Sequence, residues 1–263
     1  MKRLVTICSI VFLCMVAFYF LVLKPEKYEQ IDLYEDIMQR GYIKVGINMD
    51  SKPFGFVDKN GEVQGYDADL ARYIAQYLLQ SQSRVKFIPV TPSNRMIKVS
   101  TGEVDMVIAT MTITPQRLEV IDFSIPYDTA GQALLVKKSS KITGIGDLAG
   151  SNVGVIWGTT AEKNLLNIAP TANVIGFKTY HDAYKALKSG HINAITSDDT
   201  ILSGFALDDN EVKLLPKRYS REPYGIGFMK GKATKKLRHN VDNGIKDLKQ
   251  KNVINRLHKK WLR

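Results

Sequence analysis

Two hydrophobic rhythms alternate along the first half of the chain. Tyr42 to Ile47 ("YIKVGI") and Val85 to Val90 ("VKFIPV") are short apolar runs rich in β-branched residues, which predicts strands. Between them Leu70, Tyr73, Ile74, Tyr77 and Leu78 recur at helical spacing behind Asp67, which predicts a helix capped by that aspartate. A second helix is predicted over "NRMIKVST", stopping at Gly102, and a strand over "VDMVIATM". Strands and helices in strict alternation predict a mostly parallel sheet covered on both faces.

The pattern changes near "GQALLVKK" (Gly131 to Lys138) and a second series follows. "NVGVIWG", "ANVIGF" and "INAITS" read as strands, separated by a helix from Ala161 and another through "HDAYKALKSG". The extended stretch "YSREPYGIGFMK" then leads into a helical tail whose apolar positions Leu237, Val241, Ile245 and Leu248 need a surface to cover. If that surface belongs to the first unit, the chain passes between the units twice. The predicted fold is α/β with two lobes joined by two hinge strands and a ligand site in the cleft between them.

At 263 residues and 44% hydrophobic content, the chain has enough apolar surface for one large core or two small ones. Leu4 to Leu23 is an uncharged run behind Lys2 and Arg3. At about 1.5 Å per residue it reaches across a hydrocarbon core of about 30 Å. It is a signal peptide or a membrane anchor. The anchor is favoured, because signal peptides have shorter apolar stretches of about 7 to 15 residues and small residues before the cut. Cys14 only faintly resembles a lipoprotein box, since Leu13 before it is not small. Either way the rest of the chain is expected outside the cytoplasm, with the positive flank inside. Both cysteines, Cys8 and Cys14, fall in this run, so the exported part has no internal disulfide. His181, His191, His239 and His258 are scattered among polar neighbours, and each is expected on the surface. No zinc-type cluster appears, and no metal or cofactor is expected.

The net charge of +11 raises the question of nucleic acid. From Met229 to Arg263 there are twelve Lys or Arg against Asp242 and Asp247, so +10 of the excess lies in the helical tail. No nucleic-acid motif accompanies it. The pattern reads as a solvated helix face with weak attraction to anionic lipid.

Three segments carry candidate chemistry. In "TMTITPQR" Pro115 suits the first position of a helix, Thr114 its cap, and Arg117 the third residue of the first turn. A cation there opposes the helix dipole at a cost of about 0.3 to 1 kcal/mol. Its partner is either an acid such as Glu119 or Glu103 or an anionic ligand beyond the strand end, with Thr112 nearby. In "GTTAEKN" Thr159 and Glu162 match a capping box, which leaves an ordinary capped helix or an anion site at free first-turn amides. In "INAITSDDT" Asp198 ends a strand, where an acid suits a ligand ammonium, and Asp199 is assigned to cap the next helix. One side thus offers a guanidinium and hydroxyls, the other amides and a carboxylate. That set complements a zwitterion.

Nearly all of the exported chain resembles solute-binding protein family 3, the polar amino-acid-binding proteins of ABC importers. The resemblance rests on "GYIKVGINMDSKPFGFVDKNGEVQGYDADLA", "GEVDMVIATMTITPQRLEVIDFSIPY", "LAGSNVGVIWGTTAEKNL" and "HKKW" in that order, and "TPSNR" points to the glutamate, aspartate and glutamine binders. It implies a periplasmic-binding-protein-like fold in which Arg117 meets the ligand α-carboxylate and Thr112 adds backbone and hydroxyl contacts. It implies that the Thr110 carbonyl and Asp198 accept from the α-ammonium, and that Thr159 and Thr160 close onto the carboxylate. Helical spacing alone turns Arg95 to solvent, whereas the resemblance sets it against a distal carboxylate, with Asn48 able to add an amide. Two departures stand out. Ser51 replaces an aromatic lid residue common among relatives, and Asn48 stands where acid-binding relatives often carry Lys or Arg.

The resulting expectations are a signal peptide or anchor over 1–23, a first lobe over 31–131, a second over 132–222, and a return strand with C-terminal helices over 223–263. The protein is read as a monomeric, non-enzymatic receptor in the periplasm or on the outer face of the cytoplasmic membrane, delivering an amino acid to an ABC permease. The rival is an enzyme on the same fold, such as a cyclohexadienyl or arogenate dehydratase.

Overall fold

The fold was described from a computed structural model, which covers residues 32–262. The apolar run Leu4 to Leu23, with its readings as signal peptide, lipidated segment or anchor, and both cysteines lie outside the described residues. No helix among the described residues is long and apolar enough to cross a membrane.

Helix α1 (Leu33–Arg40) is capped by Asp32, which accepts from the Tyr34 amide, and leads into strand β1 (Ile43–Asn48). A small three-stranded ribbon (Asp50–Ser51, Gly55–Val57, Val63–Gln64) precedes α2 (Tyr66–Leu79). The cap of α2 is Gly65, not Asp67 as the pattern predicts. Gly65 takes φ 122°, and a Cβ there would lie 2.2 Å from the Phe54 carbonyl oxygen, so only glycine fits. Asp67 instead enters the first turn, where its buried carboxylate serves the cleft. Then follow β2 (Val85–Val90), α3 (Arg95–Ser100), β3 (Met106–Val107), α4 (Pro115–Val120) and β4 (Ile121–Phe123). Strand β3 is far shorter than the apolar run predicts, because the chain turns away at Thr110, whose φ is 47°.

The second series comprises β5 (Asp128–Ala130), β6 (Gln132–Lys137), β7 (Asn152–Ile156), α5 (Thr160–Ile168), β8 (Asn173–Phe177), α6 (Tyr180–Ser189), β9 (Ala194–Asp198), α7 (Asp199–Asp208) and β10 (Val212–Leu214). The chain returns through β11 (Glu222–Tyr224) and β12 (Gly227–Met229) to α8 (Lys235–Gln250) and α9 (Val253–Trp261).

Two five-stranded sheets result, ordered β2-β1-β3-β12-β4 and β8-β7-β9-β6-β10. Each has three parallel strands at one edge, as the alternation predicts. In each sheet one strand runs the other way, β12 between β3 and β4 and β6 between β9 and β10, because it enters from the opposite lobe. Strands β5 and β11 pair antiparallel, Ala130 opposite Glu222 and Asp128 opposite Tyr224, and form the double crossing. Both faces of each sheet are covered. Along β6, Ala133 and Leu135 enter one apolar cluster while Leu134 and Val136 enter another, the period of two of a buried strand.

Leu237, Val241, Ile245 and Leu248 of α8 are buried, and Gly244 lets that helix approach Ile74 and Tyr77 of α2. The tail therefore covers the first lobe, as its apolar spacing requires. Beneath the crossing, the rings of Phe54, Tyr66, Tyr127 and Tyr224 pack with centroids 5.5 to 6.3 Å apart. His258 departs from the expected surface position. It is half-buried, edge-on to Tyr66, and its Nε2 lies 3.2 Å from Asp128, whose hydrogen bond raises its pKa.

Candidate functional site

Local sequence places Arg117 as predicted. Pro115 begins α4, and the Thr114 hydroxyl accepts from the Arg117 amide at 3.2 Å. The Arg117 side chain turns inward and is 8% exposed. Its Nη1 donates to the Thr112 carbonyl at 2.8 Å and its Nη2 to the Gly158 carbonyl of the second lobe at 3.0 Å. Among the described residues no carboxylate pairs with it, and Glu103 is taken by Lys98 at 2.6 Å. The surface ion pair is therefore set aside.

Arg95, turned to solvent by helical spacing alone, is buried. Its Nη1 donates to the Ala109 carbonyl and stands 3.5 Å from that of Thr110, while Nε has no partner. Burial lowers its pKa, and neither it nor Arg117 belongs to an ion pair among the described residues. Burial, and then the Arg95 charge, push the Arg117 pKa down to about 9. Two like charges thus share a water-poor space, which favours an anion between them.

The acids stand opposite. Asp198 ends β9, is buried, and accepts from the Tyr224 hydroxyl at 2.5 Å. Burial raises its pKa to about 7, with Glu222 adding to the rise. Asp199 does not cap α7 as expected. It is the first residue of that helix, accepts from the Gly131 amide at 2.8 Å and pairs with Arg218 at 2.7 Å, fixing the crossover instead. Asp67 accepts from the Thr110 amide and the Tyr127 hydroxyl, both at 3.0 Å, and burial raises its pKa to about 7. This grip stabilises the left-handed conformation of Thr110, which costs a β-branched residue about 1 to 3 kcal/mol.

Asn48, at the end of β1, is buried. Its Oδ1 accepts from the Asp50 amide at 3.2 Å, while Nδ2 has no partner. Thr112 is buried and bridges to Tyr224. The capping box at Thr159 and Glu162 does not form. The Thr159 hydroxyl donates to the Ile156 carbonyl at 2.8 Å, and α5 has no side-chain cap. Thr160 donates to Glu222 at 3.1 Å, and Asn164 donates to the same carboxylate at 3.0 Å.

Sequence reasoning missed Glu222, Tyr224, Gln132 and Tyr180. Gln132 donates to Thr196 at 2.9 Å and leaves Oε1 unpartnered. Tyr180 joins the lobes through its amide, which donates to Asp50 at 3.1 Å, and its hydroxyl lies 3.2 Å from that of Ser197. "SREPYG" carries no signal beyond an extended segment. Asp67 gave a signal, but a cap explained it equally well.

Gly158 sets the approach of the lobes. It has φ 81°, and a Cβ would lie 2.5 Å from the Pro92 carbonyl oxygen. Gly158→Ala is expected to weaken ligand binding at least about tenfold, because a closed form made about 1.4 kcal/mol less favourable binds tenfold less. Calorimetric titration measures the loss, and wild-type affinity in the variant contradicts this role. Among the described residues no group of His, Cys, Asp or Glu could hold a metal ion.

Comparison with known proteins matches residues 43–263 to the bacterial extracellular solute-binding proteins, family 3. The ABC transporter glutamine-binding protein GlnH of Bacillus subtilis (strain 168) is 36% identical over 91% of this chain and 88% of its own. A glutamine-binding protein of Geobacillus stearothermophilus is 40% identical over 74% of this chain and 76% of its own. The crystal structure of an ancestral amino acid-binding protein, a precursor of cyclohexadienyl dehydratase, superposes with a TM-score of 0.81 at 35% identity. It covers 88% of this chain and 99% of that one.

Proposed function

Since the chain belongs to the bacterial extracellular solute-binding proteins of family 3, we propose that it is the receptor of an ABC importer for glutamine, glutamate or aspartate. Membership implies an amino-acid ligand, an ABC permease as partner and a place outside the cytoplasm. In this reading the lobes span 31–131 with 223–263 and 132–222, the receptor is monomeric, and Leu4 to Leu23 tethers it to the membrane. One observation carries the reading of the site: Arg117 and Arg95 are both buried, act on each other as like charges, and neither is ion-paired to a carboxylate among the described residues.

Arg117 takes the ligand α-carboxylate in a planar pair, with Thr112, Thr159 and Thr160 around it. Asp198 takes the α-ammonium. The Thr110 carbonyl faces the Arg95 guanidinium, so it is a weaker acceptor for that ammonium than Asp198. Arg95 and the unpartnered Nδ2 of Asn48 meet an oxygen of the ligand side chain. Closure follows because only the closed form lets both lobes touch the zwitterion.

The reading is tested by titrating glutamine, glutamate, aspartate and arginine into wild type and Arg95→Ala. The wild type is expected to prefer the oxygen-bearing side chains, and the variant to lose that preference, because a cationic side chain facing Arg95 meets like-charge repulsion in a water-poor cleft. Tight arginine binding by wild type, or unchanged glutamine and glutamate affinities in the variant, contradicts it.

The dehydratase reading has a specific support, since a carboxyl with a pKa near 7 suits a general acid. Asp198 and Asp67 have that property, but in this reading Asp198 is needed for the ligand ammonium, and Asp67 is held by Thr110 and Tyr127. The proposed function is therefore binding without chemistry. Product formation from prephenate or arogenate would overturn it.

A further inference from the structure

We propose that the solvent face of α8 is a docking surface for a bilayer bearing anionic headgroups, which holds the receptor body against the membrane that tethers it. The helix is two-sided. Leu237, Val241, Gly244, Ile245 and Leu248 are buried, and on the opposite side Lys235, Lys236, His239, Lys246 and Gln250 are exposed at helical spacing. No carboxylate of the helix itself lies on that face, which Glu35 of α1 meets at its edge through Lys236. The two acids of the helix are turned aside: Asp242 accepts from the Ile125 amide at 2.8 Å, and Asp247 pairs with Lys251 at 2.9 Å. Lys235 and Lys246, with Lys232 just before the helix, are exposed and have no ion pair among the described residues. A receptor closing on a zwitterion has no use for unpaired lysines on the far side of its own core.

Chain connectivity says what covers it. Lys236 pairs with Glu35 and lies over the Tyr34 ring at 4.8 Å, so α1 is held beside α8. Nine residues separate Leu23, the end of the apolar run, from Leu33, the start of α1. Fully extended, they span no more than about 30 Å. With the run in a bilayer, α1 and the basic face beside it stay close to the lipid surface. Anionic headgroups attract clustered lysines within a Debye length, about 8 Å at physiological salt, so a fluctuating body spends most time with this face down.

The inference rests on the tether and location given in the proposed function. Intact-mass measurement of the purified chain reads the tether, and glutamine titration reads the receptor, so each fails separately. The test reconstitutes the full chain in nanodiscs of phosphatidylcholine alone or mixed with phosphatidylglycerol. Lysines are acetylated briefly and read by mass spectrometry. Lys232, Lys235 and Lys246 are expected to react more slowly, on the order of threefold, with anionic lipid, and high salt is expected to remove the difference. Exposed Lys141 and Lys185 of the second lobe are expected not to change. A Lys235→Gln/Lys246→Gln variant, which leaves the apolar face intact, is expected to return Lys232 to its rate in neutral lipid. Equal rates in the two bilayers, or equal slowing at Lys141 and Lys185, overturn the proposal.

Discussion

Arg117→Ala is expected to weaken amino-acid binding by about 2 to 5 kcal/mol, roughly 30- to 4,000-fold in Kd, while leaving the fold intact. The size follows from its setting. A guanidinium buried against Arg95, hydrogen-bonded to the Thr112 and Gly158 carbonyls and not ion-paired to a carboxylate among the described residues, keeps most of its electrostatic potential for an anion that arrives from outside. The same setting predicts an unusual second result. The ligand-free variant loses two hydrogen bonds but also the repulsion from Arg95, so its stability is expected to change by no more than about 1 kcal/mol. Calorimetric titration with circular dichroism separates the two quantities. Near-normal affinity removes Arg117 from the site, and a grossly unfolded variant would make it a structural residue instead.

Asp198→Asn is expected to lose a comparable amount, together with the pH dependence of binding. In the folded protein burial raises the Asp198 carboxyl to about 7, above the value near 4 of an unfolded chain. A raised pKa favours the fold at pH below about 4, and that contribution is lost as the pH rises through about 7. A bound ammonium reverses the balance, because it stabilises the ionised carboxylate. Affinity is therefore expected to be greatest above about pH 7 and to fall as the pH is lowered to 5. Tyr224, Glu222, Arg95 and Asp199 surround this carboxylate and keep their charge or hydroxyl in the asparagine variant. Asp67 also titrates near 7 but is held by Thr110 and Tyr127, so its effect persists in both proteins. Flat affinity between pH 8 and 5 in wild type, or the same slope in wild type and Asp198→Asn, contradicts the assignment.

The two-lobe α/β order was legible because burial writes it into the spacing of apolar residues. Leu70, Ile74 and Leu78 had to face a sheet, and Leu237, Val241 and Ile245 had to face a helix. The antiparallel strand in each sheet was not legible in a pattern that predicted mostly parallel sheets, because β6 and β12 arrive through a crossing that leaves no mark on local periodicity. Capping was predicted well at Thr114, where a proline fixes the register, and poorly at Asp67, Thr159 and Asp199. At those three positions a side chain able to cap a helix is bonded otherwise, Asp67 and Asp199 to partners far along the chain and Thr159 back to the Ile156 carbonyl, and short-range spacing cannot tell these uses apart. Arg95 shows the same limit. Its neighbours Met96, Ile97 and Val99 describe an apolar face without it, yet Ile97 is 63% exposed and Arg95 is buried. Glu222 and Tyr224 were invisible because their roles arise only where the returning strand meets the first lobe.

Thermal unfolding of the wild-type protein with each of the twenty amino acids in turn tests the central claim most directly. A ligand at a hundredfold excess over its Kd adds about 2.7 kcal/mol, enough to raise the midpoint by several degrees in a domain of this size. Glutamine, glutamate or aspartate is expected to give the largest rise, and the cationic amino acids little or none. If no amino acid moves the midpoint, or if arginine or lysine moves it most, the cleft built on Arg95, Arg117 and Asp198 is not the site described here.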